Sequence, residues 1–223
     1  MDTVFAAPPT EIFYDQDQHV MWSPDGLGAD DRAGIYAILT LVKRGYRPHI
    51  IFTTDEERGC IGASKLVEVI KKCPFKELKY IIELDRRGAN DSVFYDCDNK
   101  KFEKYVNAFG FKTDYGSYSD ISVIAPAWGV AAVNLSVGYL DEHSELERLY
   151  CSALENTISK VEEMLKLSKT AKKFKYIPLK REKRITFPMD SFKCAWCDTP
   201  VPIDNYEKNM GLCDFCYGYF SKN

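Results

Sequence analysis

Four short segments of the sequence place an acidic or imidazole side chain just after a strand-like stretch. They are GLGADDRAG with Asp30 and Asp31, TTDEERG with Glu56 and Glu57, ELDRRG with Asp85, and YLDEHSELE with His143. In a layered α/β domain, groups at the carboxyl ends of strands converge on one crevice. Several carboxylates in one crevice need a cation, and a pair of zinc ions that activates water and polarises a carbonyl is the usual partner in a hydrolase. Taken singly, each acid is more often a helix cap or a solvated surface charge.

The elements that must position these residues follow from the apolar periodicity. Strand-like and helix-like segments alternate through the first two thirds of the chain, which predicts an α/β domain. Helices are expected between Asp31 and Gly45, over residues 63–72 and 100–109, and along the face formed by Leu154, Ile158, Val161 and Leu165. Strands are expected at residues 49–54, 79–84, 92–95 and 131–137.

Four cysteines near the carboxyl end form two pairs with two residues inside each pair. They are Cys194 and Cys197 in CAWC, and Cys213 and Cys216 in CDFC. This spacing lets both thiolates of a pair face one ion, so that two pairs complete a tetrahedron around a structural zinc. The alternative is four free or disulfide-paired cysteines. A module of about 35 residues builds little core, so the metal is expected to supply folding free energy on the order of 10 kcal/mol.

The four acidic segments, in their order along the chain, resemble the co-catalytic zinc exopeptidase clan. That clan includes tripeptidase T and related aminopeptidases, carboxypeptidases and deacetylases. The opening MDTVF is also similar to the clan's His-x-Asp-Thr-Val segment, and the resemblance covers residues 1 to about 165. It implies an α/β fold with three layers, in which helices flank a mixed sheet, and the hydrolysis of an amide bond at the end of a peptide or in an acylated amino acid.

The resemblance also implies a role for individual residues. The implied metal ligands are Asp30 as the bridge between two zinc ions, Asp85 on the first ion, and Glu57 and His143 on the second. Glu56 matches the general base that takes a proton from water and passes it to the leaving amine. Asp2 matches an acid that orients a metal-binding histidine.

The sequence departs from the clan's pattern at its start. The histidine of the first metal would stand two residues before Asp2, so this histidine and the strands before it are missing from the sequence. Three explanations stay open: a reading frame assigned from an internal methionine, a natural fragment, and a descendant with another purpose. His19, in the polar loop DQDQHV, and His49 are considered as replacement ligands, against simple exposure.

Two further residues are candidates for substrate binding. Asp120, in GSYSDISVIAP, resembles a residue beside the clan's active crevice, where it would orient His143 or the substrate. The equally weighted alternative is an ordinary helix cap by Ser119. Arg86 follows Asp85 directly, and it would bind a substrate carboxylate or neutralise the acidic cluster.

Composition and charge divide the chain into three predicted parts. These are the peptidase-like domain at residues 1–167, a basic linker at 168–188 and a four-cysteine zinc ribbon at 189–223. The net charge is −3, yet residues 166–184 alone carry +8. The acidic remainder argues against nucleic-acid binding. Neither a membrane span nor a signal peptide is recognised, so a cytoplasmic protein is expected.

The sequence thus favours a zinc-dependent metallopeptidase-like hydrolase of aminopeptidase, tripeptidase or amidohydrolase type. Its activity is impaired if the first metal's histidine is truly missing. Two co-catalytic zinc ions and one structural zinc are expected, with a peptide or acylated amino acid as substrate. The alternative is an inactive protein with the peptidase fold that binds a partner protein through its zinc ribbon.

Overall fold

The computed structural model describes residues 3–179, 192–197, 199–201, 205, 208–214 and 216–217. The chain divides into two compact units, Met1–Leu179 and Lys180–Asn223. Within the described residues, no helix combines the length and the apolar character that a bilayer span requires.

The first unit alternates helices and strands, as the periodicity predicts. Its helices are α1 (Ala29–Lys43), α2 (Ile61–Val69), α3 (Lys100–Asn107), α4 (Asp120–Trp128) and α5 (Cys151–Leu167). Its strands are β1 (Phe13–Asp15), β2 (Val20–Trp22), β3 (Ile81–Arg86), β4 (Asp91–Val93), β5 (Lys112–Thr113), β6 (Ala132–Ser136), β7 (Tyr139–Leu140) and β8 (Arg148–Tyr150).

The central sheet of this unit has the strand order β3-β6-β4-β5 and is mixed, because β6 runs parallel to β3 and antiparallel to β4. Along β6, Val133 and Leu135 pack in a core cluster with apolar residues of α1 and α5. Ala132, which lies on the opposite face, packs against Ile121 and Ala125 of α4. Since successive residues of a strand point to opposite faces, helices cover both sides of the sheet. The predicted three-layer α/β fold is confirmed.

A second sheet, of order β1-β2-β8-β7, is entirely antiparallel. The apolar periodicity does not predict this sheet, because strands of two or three residues carry too few alternations to be recognised. The loop between β7 and β8 carries both His143 and Glu147. This small sheet therefore positions the segment YLDEHSELE, the last of the four segments with candidate ligands.

The strand predicted at residues 49–54 is wrong. No strand is assigned to these residues, and Ile50, Ile51 and Phe52 are between 36% and 44% exposed. A run of β-branched and aromatic residues favours a strand only where neighbouring strands supply hydrogen bonds and cover its faces. The described residues supply no such neighbour here.

The residues that follow α5 belong to the first unit as far as Leu179, whereas the sequence placed the start of a linker at residue 168. Two isolated β-bridges, Cys97 with Pro178 and Val130 with Lys175, pair this segment with the rest of the first unit. Phe174 packs against the main core cluster. The few apolar side chains of this stretch thus attach it to the core in spite of its many lysines.

The second unit contains a short antiparallel pair, β9 (Phe192–Lys193) and β10 (Pro200–Val201). Its small cluster of buried residues consists of Cys194, Val201 and Cys216. Two of these three residues are cysteines, so apolar packing supplies little of the stability of the described part of this unit.

Candidate functional site

Asp30 lies at the start of α1, where the chain turns from a loop into the helix. Gly28 adopts the left-handed conformation with φ of 62°. The buried carboxylate of Glu147 accepts hydrogen bonds from the amides of both Gly28 and Asp30, the latter over 2.9 Å. The peptide bond between Asp30 and Asp31 is cis. Asp30 is 7% exposed, so the alternative of a solvated surface charge does not describe it.

Glu57 and His143 meet Asp30 from two separate loops. The Nε2 atom of His143 lies 2.6 Å from Oε1 of Glu57 and 3.1 Å from Oδ2 of Asp30. Ligand atoms of all three side chains lie within 4.8 Å of one another. Asp55, which precedes the Glu56–Glu57 pair, and His143 itself have positive φ angles of 57° and 63°. Such conformations in non-glycine residues are common at functional sites.

Asp85 joins this cluster from the carboxyl end of β3. The side-chain amide of Asn134 on β6 holds the backbone of Asp85, since its Oδ1 accepts from the Asp85 amide at 3.0 Å and its Nδ2 donates to the Asp85 carbonyl at 2.8 Å. The hydroxyl of Tyr139 donates to the Asp85 carboxylate at 3.3 Å. The side chains of Asp85 and Asp30 share a hydrogen bond.

Burial and crowding raise the pKa of three carboxyl groups in this region. For Asp30, the pKa rises because the group is buried and because the charges of Asp85 and Glu57 lie close by. The pKa of Asp85 rises through burial and through the charge of Asp31. Burial, together with the charge of Asp85, also raises the pKa of Glu83, which lies two residues before Asp85 on β3. A cation among these groups would favour their ionised forms.

Two of the remaining candidates of the peptidase-like domain, Glu56 and Asp120, line the cavity that contains this cluster. Glu56 lines the same cavity as Asp30, Glu57 and Asp85. Asp120 lines it too, and its buried carboxylate accepts a hydrogen bond from the hydroxyl of Thr53.

Asp120 begins α4, and Ser119 stands at the N-cap position of this helix. This is the ordinary helix cap that was weighed against a functional role for Asp120. Arg86 donates to the Asp114 carboxylate at 2.8 Å and to the Tyr115 carbonyl at 3.1 Å, so two of its hydrogen bonds are already made within the chain. The substrate-binding roles of Asp120 and Arg86 stay predictions.

Neither of the two histidines considered as a replacement ligand joins the cluster. The Nδ1 atom of His19 lies 2.9 Å from the hydroxyl of Tyr14. The ring of His49 stacks on Phe75 with centroids 4.0 Å apart. Among the described residues, His143 is the one imidazole in either group of potential metal ligands. Asp2 lies outside the described residues.

Two residues that position this cluster, Glu147 and Asn134, were not predicted from the sequence. Glu147 stands in the quoted segment YLDEHSELE, but spacing alone did not distinguish it from its acidic neighbours. Asn134 interrupts the apolar run AAVNLSV, and it is 1% exposed. A polar residue inside a buried strand must find hydrogen-bond partners, and that requirement was the available signal.

The four cysteines of the second unit also lie together. Their sulfur atoms lie within 4.8 Å of one another, with 3.7 Å between Cys197 and Cys213. Burial alone would raise the pKa of Cys194, but backbone amides, foremost that of Cys213, outweigh it and lower the pKa. Amides that donate to sulfur stabilise the thiolate form that binds metal. This arrangement is compatible with a zinc ribbon.

The two groups offer different donors. Three carboxylates and one imidazole form an oxygen-rich set that suits a hard or borderline divalent ion and leaves room for water. Four thiolates form a closed tetrahedral set that suits structural zinc. Both donor sets therefore fit the metal that the resemblance and the cysteine spacing imply.

No protein-family model matches the chain, and no curated protein matches it. Solved structures do match. The aminopeptidase PepT from Bacillus cereus ATCC 10987 is 15% identical with a TM-score of 0.60, covering 75% of this chain and 79% of that one. A tripeptidase from Staphylococcus aureus subsp. aureus Mu50 is 16% identical with a TM-score of 0.58, covering 75% and 78%.

An aminopeptidase from the archaeon Desulfurococcus kamchatkensis is 19% identical with a TM-score of 0.54, covering 70% of this chain. The chain spans about half the length of that archaeal enzyme, 51%. Because the sequence identities are this low, the similarity to these structures shows a shared fold and nothing about activity. The protein thus has the fold of these aminopeptidases and tripeptidases, as its motifs predicted.

Proposed function

We propose that the protein is a zinc-dependent hydrolase of the exopeptidase type, which cleaves an amide bond at the end of a short peptide or in an acylated amino acid. The observation that carries the proposal is the convergence of ligand atoms of Asp30, Glu57 and His143 to within 4.8 Å, from the start of α1 and two loops of a peptidase fold. Asp85 adjoins them. These four residues would hold the catalytic zinc.

The chain's own residues supply the rest of the chemistry. Bound zinc polarises a carbonyl and lowers the pKa of water. Glu56 accepts a proton from the attacking water and delivers it to the leaving amine. Glu147 and Asn134 hold the backbones of Asp30 and Asp85, so the ligands keep their positions before substrate arrives.

The test is the substitution Glu56→Gln in the zinc-loaded full chain. Hydrolysis of tripeptides and aminoacyl p-nitroanilides should fall by about 10²- to 10⁴-fold, because the general base is lost. Zinc content, measured by elemental analysis, should not change. The matched control is Glu68→Gln, which alters an exposed acid of α2. A Glu56→Gln protein as active as the control would overturn the proposed base.

A second candidate is a partner-binding protein without catalysis, which uses the cysteine unit. The observation in its favour is that Trp196 and Met210 of this unit are 71% and 79% exposed. Zinc content separates the two candidates: about three ions per chain for the hydrolase, and one, held by the cysteines, for the binding protein. A chain that holds one zinc ion and cleaves none of the peptides would favour the second candidate.

A further inference from the structure

The end of the first unit that lies opposite the metal ligands carries many basic residues. Helix α1 begins at Ala29, next to Asp30, and ends at Lys43. Strand β3 begins two residues after Lys79 and carries Asp85 near its other end. At a rise of 1.5 Å per residue, α1 separates the two ends by about 20 Å. A partner held at the far end would therefore leave the carboxylate and imidazole cluster accessible.

Contacts within the chain hold the segments of this far end together. Glu162 of α5 accepts a hydrogen bond from Arg44, which follows α1, at 2.6 Å, and it lies 3.3 Å from the ammonium of Lys166. The chain turns after α5 and returns towards the start of β3, where the amide of Phe174 donates to the carbonyl of Lys79 at 2.8 Å. We call the surface formed by residues 43–47, 77–79 and 162–173 the basic end.

The basic end carries an excess of positive charge. Its segments contain three acids and eight basic residues, a net charge of +5. Each acid is already paired: Glu162 with Arg44 and Lys166, Glu163 with Lys166 at 2.7 Å, and Glu77 with Lys79 at 3.6 Å. The other basic residues are exposed and form no ion pair with any described residue; they are Lys43, Arg47, Lys169, Lys172 and Lys173.

The helix termini offset little of this charge. Lys43 and Lys166 stand in the last turns of α1 and α5, where a basic residue complements the partial negative charge of a helix end. That partial charge is roughly −0.5 for each helix, so the two helices together offset about one of the five excess charges. A surface that only compensates the helix dipoles would need far fewer basic residues.

The charge of the rest of the chain determines which kind of anion fits. The whole chain has a net charge of −3, so the residues outside the basic end sum to −8. Duplex DNA carries one negative charge per about 1.7 Å, and an anionic bilayer is a continuous charged surface. Both would extend past the basic end and face the acidic remainder. A short acidic polypeptide segment confines its charge to the basic residues, and screening beyond about 8 Å at physiological salt favours such a matched ligand.

We propose that the basic end is a docking surface for an acidic segment of a partner protein. Aspartate and glutamate side chains of that segment pair with the five exposed residues that form no ion pair within the chain. Electrostatic complementarity of this kind gives partner choice and a fast association rate more than a high affinity. The basic end thus anchors the chain to a partner while the metal ligands stay accessible.

The test uses the zinc-loaded full chain and a fluorescent peptide of alternating aspartate and glutamate, acetylated and amidated so that neither end is a substrate for an exopeptidase. Fluorescence anisotropy should show binding that weakens at least tenfold when the salt concentration rises from about 50 mM to about 500 mM. The double substitution Lys169→Glu and Lys172→Glu should also weaken binding at least tenfold. The matched control, Lys65→Glu and Lys112→Glu, alters exposed lysines of α2 and β5 and changes the net charge equally. It should change binding less than twofold.

Cross-linking of the unaltered chain locates the bound peptide independently. A carbodiimide joins carboxylates of the peptide to the lysines that they contact, and mass spectrometry should identify Lys43, Lys169, Lys172 or Lys173. The proposal is overturned if the cross-links form mainly at other lysines, or if the two double variants bind the peptide equally well. It is also overturned if duplex DNA or phosphatidylserine vesicles bind the basic end more tightly than the peptide does. None of these readouts depends on peptidase activity, so the outcome is independent of the proposed function.

Discussion

The cysteine cluster takes all four donors from residues 194–216, whereas the carboxylate and imidazole cluster collects its donors from residues 30–143. In the first, the local backbone brings each pair of sulfurs together, and a bound metal would take the place of an apolar core. In the second, a three-layer domain with its own core brings distant loops together. The metal is thus expected to hold the cysteine unit together, whereas the fold of the first unit is expected to position the other metal site.

The largest expected effect is the removal of zinc from the cysteine cluster. Chelation, or the substitution Cys194→Ser, should unfold the described part of the second unit, because metal binding supplies folding free energy on the order of 10 kcal/mol. The first unit should keep its unfolding temperature after the cysteine substitution. Hydrogen exchange resolved by peptide would report on both units in one sample.

The matched control is Cys73→Ser, which alters a cysteine outside the cluster in the first unit. It should leave the exchange rates of the second unit unchanged. If Cys194→Ser instead lowers the unfolding temperature of the first unit by several degrees, the two units depend on each other, and the contrast between them fails.

The same contrast explains how much was predictable from the sequence. Cysteine spacing predicts a metal cluster with no knowledge of the fold. The acids were singled out because they stand where strands are expected to end and because their order resembles the exopeptidase clan, and the structure brings the side chains of Asp30, Glu57, Asp85 and His143 close together. Residues that act through backbone hydrogen bonds, such as Glu147, carry no pattern of their own, because their partners lie more than a hundred residues away.

The second prediction concerns the contact that holds α1 against β3. A methyl group on Gly34 would lie 1.7 Å from the carbonyl oxygen of Leu84, which leaves no room for it. In an exposed helix, Gly→Ala is stabilising by about 1 kcal/mol. Here Gly34→Ala should destabilise the first unit by about 3 kcal/mol, since the helix must move away from the strand.

That movement should also separate Asp30 from Asp85 and weaken metal binding there, while the cysteine cluster keeps its zinc. Urea unfolding and zinc titration of the same variant would measure both effects. A Gly34→Ala protein at least as stable as the original would show that α1 does not pack on β3 as described, and the oxygen-rich site would lose its structural basis.

The smallest expected effect comes from a substitution that changes how Asp30 is positioned without changing the packing of the core. Glu147→Gln keeps the size of the side chain, but one of its two terminal atoms becomes a donor that faces the amide of Gly28 or Asp30. Zinc affinity at the carboxylate and imidazole cluster should fall about tenfold, the lower end of what the loss of a ligand-orienting group costs. Glu145→Gln, which alters an exposed acid of the same loop, is the control. Equal zinc affinities in the two variants would mean that the carboxylate of Glu147 stabilises the loop but does not orient Asp30. The position of this metal site would then not depend on the hydrogen bonds that Glu147 makes.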